Sequence, residues 1–241
     1  PGPSRPQRTG MRSRLALVPV AVLLVAACAH SASPTPLHRD DFTGDLRQWV
    51  VEQMPGGSVR LDGGALVIED AAGCTVWFRE KLTAPVVVSW ETTFVEAGGP
   101  RDRVSDLNCF WMATDPQRPD LLAPGHGRTG RFATYDSLRT YYVGYGGNTN
   151  STTRFRRYDG SGARPLLPEH ERTAPAYLLR GGVPFRIRVE AHRDGTVRYW
   201  RNDELVFEWK DDQPLTDGWF GFRTVQSHQR IRNFVVTRPA S

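Results

Sequence analysis

The chain reads as all-β, a two-sheet antiparallel sandwich, on three observations. No stretch after residue 40 repeats its apolar residues at a helical spacing. Short alternating runs stand there instead, punctuated by glycine, proline and aspartate, which is how half-buried strands and their turns are written. Roughly 200 residues follow the N-terminal segment, enough for one substantial core.

The elements follow in chain order. Residues 1–27 read as a leader, with 1–10 upstream of a plausible start at Met11. Arg12 and Arg14 precede an apolar run, Leu15 to Ala27, too short for a comfortable membrane span and ending in small residues. Val25-Ala26-Ala27-Cys28 is similar to a bacterial lipobox, which makes Cys28 a lipidation site. Residues 28–38 are then a linker, and 39–239 a single sandwich domain. The strand runs are "SVRLDGGALVIED", with a turn at Asp62-Gly63-Gly64, then "CTVWFREKL", "VVVSWETTFVEA" and "DLNCFWMATD". Pro116 to Ser137 is irregular, and a connection of that length is usually functional or disordered. "TYYVGYG" and "TTRFRRYD" follow. Phe185 to Lys210 is a meander with two-residue hairpin signals at Asp194-Gly195 and Asn202-Asp203. "GWFGFRTVQSHQRIRNFVVTRP" closes the domain.

Charge excludes a function class. The formal net charge is +5. Arg5, Arg8, Arg12 and Arg14 lie in the leader, which has no acids, and without them 27 basic residues face 26 acidic ones. A nearly neutral mature chain gives no footprint for nucleic acid. It contacts a membrane only through a lipid anchor and reads as an extracytoplasmic monomer, secreted or held at the outer face of the cell membrane. Beyond Cys28 only Cys74 and Cys109 remain, free to pair if their strands are neighbours or to lie buried as small apolar side chains. No CxxC, HExxH or zinc spacing occurs, so no cofactor is required.

The ends carry a further pattern. "DDFTGDLRQWVVEQ" opens the domain and "GWFGFRT" with "IRNFVV" closes it, as in many concanavalin A or laminin-G-type sandwiches. Together, "GCTVWF", "DRVSDLNCFWMATDP", "YDSLRTYYVGYGGNTNSTTRFRRYDG", "RPLLPEH" and "DGWFGFRTVQSHQRIRNF" resemble a secreted bacterial family, domain of unknown function 6250. That family is related in architecture to YesU-like proteins of pectin-degradation clusters. The resemblance covers nearly the whole mature chain. It implies a concanavalin A-like jelly roll in a glycan-utilisation setting, but supplies no reaction. In such sandwiches the outward face of one sheet is a groove for a sugar chain. A calcium ion near the joined ends, involving Asp40 or Asp41, is a further structural expectation.

Strand alternation nominates the groove residues. Leu107, Cys109 and Trp111 read as core, leaving Asp106 and Asn108 on the other face with Arg103 upstream. Phe155 is the natural core residue of its run, so Arg154 and Arg156 project outward with Tyr158 beside them. In "RTYYVGYGG" either Arg139, Tyr141, Val143 and Tyr145 share the groove face, or Thr140, Tyr142 and Gly144 do. The favoured chemistry is β-elimination on a uronate-containing oligo- or polysaccharide. Arg103, Asp106, Asn108, Arg139, Asn148, Asn150, Arg154 and Arg156 would bind the substrate and its carboxylate, and Tyr141, Tyr142, Tyr145 or His170 would move protons. His126 is a further proton carrier by residue type. A glycoside hydrolase would draw instead on two facing carboxylates among Asp102, Asp106, Asp136, Glu169 and Glu171. A non-catalytic carbohydrate-binding lipoprotein would stack sugars on an exposed tryptophan.

Overall fold

The computed structural model describes residues 1, 2, 4 and 35–239. The segment expected to be a leader, apart from residues 1, 2 and 4, and Cys28, the expected lipidation site, lie outside the described residues.

The strands are β1 (His38–Asp40), β2 (Trp49–Gln53), β3 (Ser58–Leu61), β4 (Leu66–Glu69), β5 (Cys74–Phe78), β6 (Leu82–Thr83), β7 (Val86–Phe94) and β8 (Leu107–Thr114). They continue as β9 (Arg139–Gly146), β10 (Thr152–Asp159), β11 (Glu171–Arg172), β12 (Phe185–Ala191), β13 (Thr196–Arg201), β14 (Glu204–Lys210), β15 (Asp217–Thr224) and β16 (His228–Thr237). One sheet runs β14-β13-β12-β7-β16-β4-β3, with β1 added on β16. The other runs β11-β10-β9-β8-β15-β5-β2, with β6 on β15. β7 shows why the sheets stack: Val86, Val88, Trp90, Thr92 and Phe94 are buried and the residues between them are not. Period-two alternation gives such a strand one apolar face, and that face meets Trp111, Phe220, Phe222 and their neighbours from the other sheet.

Of the two hairpin signals, Asp194-Gly195 closes a four-residue turn, 192–195, in which Gly195 alone has positive φ (86°), not a two-residue one. Asn202 and Asp203 both have positive φ (48° and 67°), the geometry a two-residue hairpin requires, and they join β13 to β14. Cys74 and Cys109 are both free and buried. β15 lies between their strands, with Phe222 opposite Cys109 and Thr224 opposite Cys74. Two strand spacings come to about 9–10 Å, beyond the ~7 Å Cα limit of a disulfide. Burial pushes both thiols up. Asp40 is committed locally, accepting the Phe42 N–H at 2.7 Å and the Trp49 indole N–H at 2.8 Å.

The long connection 115–138 is ordered and packed. Leu121, Tyr135 and Leu138 are buried in a second apolar cluster, on the side of the β8-containing sheet that faces away from the main core. They cover Trp77 of β5, Phe110 of β8 and Trp219 of β15. Each fully buried leucine there contributes about 2 kcal/mol. β5 and β8 are therefore buried on both faces.

Candidate functional site

The register across the β8-containing sheet aligns its outward side chains in two rows. One is Glu52, Thr75, Arg223, Asn108, Gly144, Arg154 and Glu171, read strand by strand from β2 to β11. The next is Val50, Trp77, Gly221, Phe110, Tyr142 and Arg156. A polar row thus lies beside an aromatic one. The β2–β5–β15 half of both rows is roofed by the 115–138 connection, and the β9–β10 half opens into a cavity of about 310 Å³.

Gly144 is the floor of that cavity. A Cβ there would stand 3.2 Å from Tyr142 Cε1, 3.4 Å from its hydroxyl oxygen and 3.7 Å from Asn108 Oδ1. A methyl there would crowd the two groups, which converge above the glycine. Asn108 Oδ1 is buried and accepts no hydrogen bond, while its amide donates to Asp106 Oδ1 at 3.2 Å. Asp106 is held by Ser105 Oγ–H at 2.6 Å and by Arg103 at 3.0 Å, with its backbone in the left-handed region (φ 62°). Arg103 also donates to the Val225 carbonyl at 2.7 Å.

β10 supplies the basic flank. Arg154 pairs with Glu171, its Nε donating at 2.6 Å. Arg156 donates to the backbone carbonyls of Arg164 and Pro165. Arg164 pairs with Asp136 at 3.0 Å and lies 4.7 Å over the Phe132 ring. Four guanidiniums with Arg103 thus surround the cavity against the carboxylates of Asp106, Glu171 and Asp136, and Arg156 has no carboxylate partner among the described residues. Tyr142 and Tyr158 stand side by side, with ring centroids 5.7 Å apart. Burial raises both phenols, Tyr142 well above its ordinary value and Tyr158 to about 12, the latter pulled back by Arg156 and Arg164. Both are neutral near pH 7, so they donate rather than accept protons at rest.

The structure brings together Asp106, Asn108, Tyr142, Asn148, Arg154 and Arg156, with Arg103 one bond behind. It separates the other candidates. Tyr141 and Tyr145 point between the sheets: Tyr141 donates to Asp211 at 2.7 Å, and Tyr145 accepts from Arg201 at 2.8 Å. The alternation that turns Tyr142 outward turns them inward. His170 is buried edge-on against Phe155 at 4.8 Å, on the inner side of β10, and burial lowers its pKa. Arg139 donates to the Asp159 carbonyl at the far end of β9. Asn150 clamps Leu179, bonding both its N–H and its carbonyl. His126 belongs to the 115–138 connection and stands 3.3 Å from Glu52. Asp102 accepts from the Ala97 and Gly99 amides and contacts His228 at 2.8 Å, so it belongs to a loop clamp.

Phe132 and Arg164 line the cavity without having been singled out from the sequence. Their signals are faint. Phe132 is an aromatic in a glycine- and proline-rich connection, and Arg164 heads the "RPLLPEH" segment after two glycines. Among the described residues no group of three or more His, Cys, Asp or Glu is placed to hold a metal ion.

A model of the family described as a domain of unknown function, DUF6250, matches residues 68–234. Among solved structures the chain is similar to a protein of unknown function with a galectin-like fold from Bacillus subtilis. That match has 23% identity and a TM-score of 0.66, covering 86% of this chain and 97% of that one. It is similar to the carbohydrate-binding module CBM66 from Bacillus subtilis, with 12% identity and a TM-score of 0.53 over 79% and 95% of the two chains. A β-1,3-1,4-glucanase (lichenase) derived from a mouse hindgut metagenome matches with 13% identity and a TM-score of 0.51, over 84% and 99%. These likenesses show the fold, a two-sheet sandwich of the galectin and concanavalin A type. A search of curated proteins finds no match.

Proposed function

The chain belongs to the DUF6250 family, and from that premise we propose that its cavity binds an acidic, uronate-containing glycan and cleaves it by β-elimination. The observation that carries this reading is the convergence over Gly144 of the Tyr142 hydroxyl and the unpartnered Asn108 Oδ1, flanked by Arg154 and Arg156. The carbohydrate-binding and glucan-cleaving proteins of similar fold support a saccharide ligand.

Elimination needs three things: a cation for the C5 carboxylate, a base for the C5 proton and an acid for the C4 oxygen. Arg156, with its charge uncompensated by a carboxylate, holds the substrate carboxylate and stabilises the enolate that develops on it. Tyr158 takes the C5 proton only after its own phenol has released a proton to solvent, an ionisation that burial opposes and that Arg156 and Arg164 favour. The C5–H pair becomes the C4=C5 double bond, and the C4–O bond breaks with its pair on the leaving oxygen. Tyr142 donates its proton to that oxygen, and water carries the proton from Tyr158 back to Tyr142 for the next turnover.

Two-carboxylate hydrolysis is poorly served: Asp106 is the carboxylate lining the cavity, and it is tied to Arg103, Ser105 and Asn108. A second reading, a non-catalytic glycan-binding module, is favoured by the two raised phenols, which are neutral in the resting cavity. The mature domain is incubated with a panel of polyuronates while ultraviolet absorbance and reducing ends are followed. New ends with the absorbance of a C4–C5 double bond support elimination, new ends without it indicate hydrolysis, and binding without new ends indicates the module. The leader and Cys28 support export and lipid anchoring at the outer face of the membrane. Cys28→Ser then releases the protein into the medium, and unchanged membrane association would count against the anchor.

A further inference from the structure

An acidic chain laid across the strands along the two rows would meet open space over β10 and β9 and a wall at β8. Past Asn108 nearly every row residue is covered: Phe110 is 1% exposed, Arg223 2%, Thr75 0%, Trp77 0% and Glu52 4%, with Val50 at the sheet edge half-buried. The wall begins at Phe132, whose ring lies 5.6 Å from Tyr142 and 6.4 Å from Phe110 and is capped by Arg164.

This wall is built in rather than laid on. Glu52 receives the Tyr135 hydroxyl at 2.7 Å and Arg128 Nε at 3.1 Å. Arg223 reaches across to the Gly130 carbonyl and lies 5.3 and 5.4 Å from the Phe132 and Tyr135 rings. Gly130 and Gly73 pack backbone to backbone, so a Cβ on either would come within 2.4 Å of the other's carbonyl oxygen. An opening motion would expose the Glu52 carboxylate and the Arg128 and Arg223 guanidiniums without their partners, together with the apolar face of Trp77. The opening that remains, about 310 Å³, is at the small end of the ~300–1,000 Å³ range for ligand sites. That is room for a sugar ring or two against the wall.

We propose that the site is a dead end that takes the terminal residues of an acidic glycan, so that the protein acts on chain ends and not on internal units. This rests on the uronate reading of the same cavity. It assigns the 115–138 connection as the element that sets the mode, with Phe132 as the stop against which the last sugar ring rests.

The test is a length series of each polyuronate, made by partial hydrolysis, with the wild-type mature domain. Calorimetric titration should give a stoichiometry fixed per chain whatever its length, and at equal mass halving the chain length should double turnover. The first products should be mono- or disaccharides while the viscosity of the long polymer barely falls. Stoichiometry that grows with chain length, or an early fall in viscosity with products of mixed length, would overturn the dead end and leave the uronate reading standing. Absence of binding to every polyuronate at every length would instead sink the uronate reading, and this proposal with it.

Discussion

Tyr141 and Tyr142 are adjacent in sequence and opposed in role, so the same substitution at each should give opposite results. Tyr141 donates to Asp211 at 2.7 Å and accepts the Leu215 N–H at 3.0 Å. The carboxylate it serves is also held by Arg157 at 2.8 Å. Tyr141→Phe deletes one charge-assisted bond and one backbone bond with no change of shape, a loss of about 2–4 kcal/mol. For a domain of this size that lowers the melting temperature by roughly 4–15 °C. Tyr142 has no hydrogen-bond partner for its hydroxyl among the described residues, so Tyr142→Phe should leave stability within about 0.5 kcal/mol of wild type. Removal of the proton donor should cut turnover by ~10²–10⁴. Calorimetric melting and the double-bond absorbance assay read the two effects separately. Equal destabilisation by both changes, or loss of turnover in a folded Tyr141→Phe protein, would refute the assignment of faces.

Gly144→Ala should keep the fold and weaken glycan binding at least tenfold, because its methyl would sit 3.2 Å from the Tyr142 ring and occupy the space a ligand needs; unchanged affinity by titration would move the site off Gly144. If Tyr158 is the base, kcat/KM should climb about tenfold per pH unit from neutral toward its pKa of about 12, and Arg164→Gln should shift the profile to higher pH; a bell centred near neutrality would exclude this phenol. Burial lowers the pKa of His170, with Glu169 opposing and Arg172 assisting. The stability its neutral form contributes is therefore full above the ordinary imidazole value of 6.5 and lost as pH falls through the lowered folded value. His170→Phe should flatten part of the acid limb in urea titrations below the ordinary imidazole value, His126 retaining its own share.

Much of the site was legible where one residue broke the tie. In "TTRFRRYD" the lone phenylalanine among arginines sets the inner face, so Arg154 and Arg156 had to point outward together, and they do. The run Leu107, Cys109, Trp111 did the same for Asp106 and Asn108. "RTYYVGYGG" gave no such lead. Its three tyrosines occupy both faces and all are buried, Tyr141 and Tyr145 between the sheets and Tyr142 beside Phe132. His170 was misplaced for a related reason: a histidine in a proline-flanked segment looks solvated, but the segment folds back over Phe155 and Trp209.

By itself, then, the sequence determined the strand alternation, the turns and hence an all-β sandwich, because these depend on neighbours a few residues apart. It also determined that Arg154 and Arg156 share a side. Which tyrosine opens onto the cavity, and that half of the sheet face is closed, were decided only in three dimensions. Both depend on the 115–138 connection reaching Glu52, more than sixty residues back in the chain, and Arg223, about ninety forward. No local pattern encodes a contact between such distant residues, since the register that aligns them exists only once both sheets are paired.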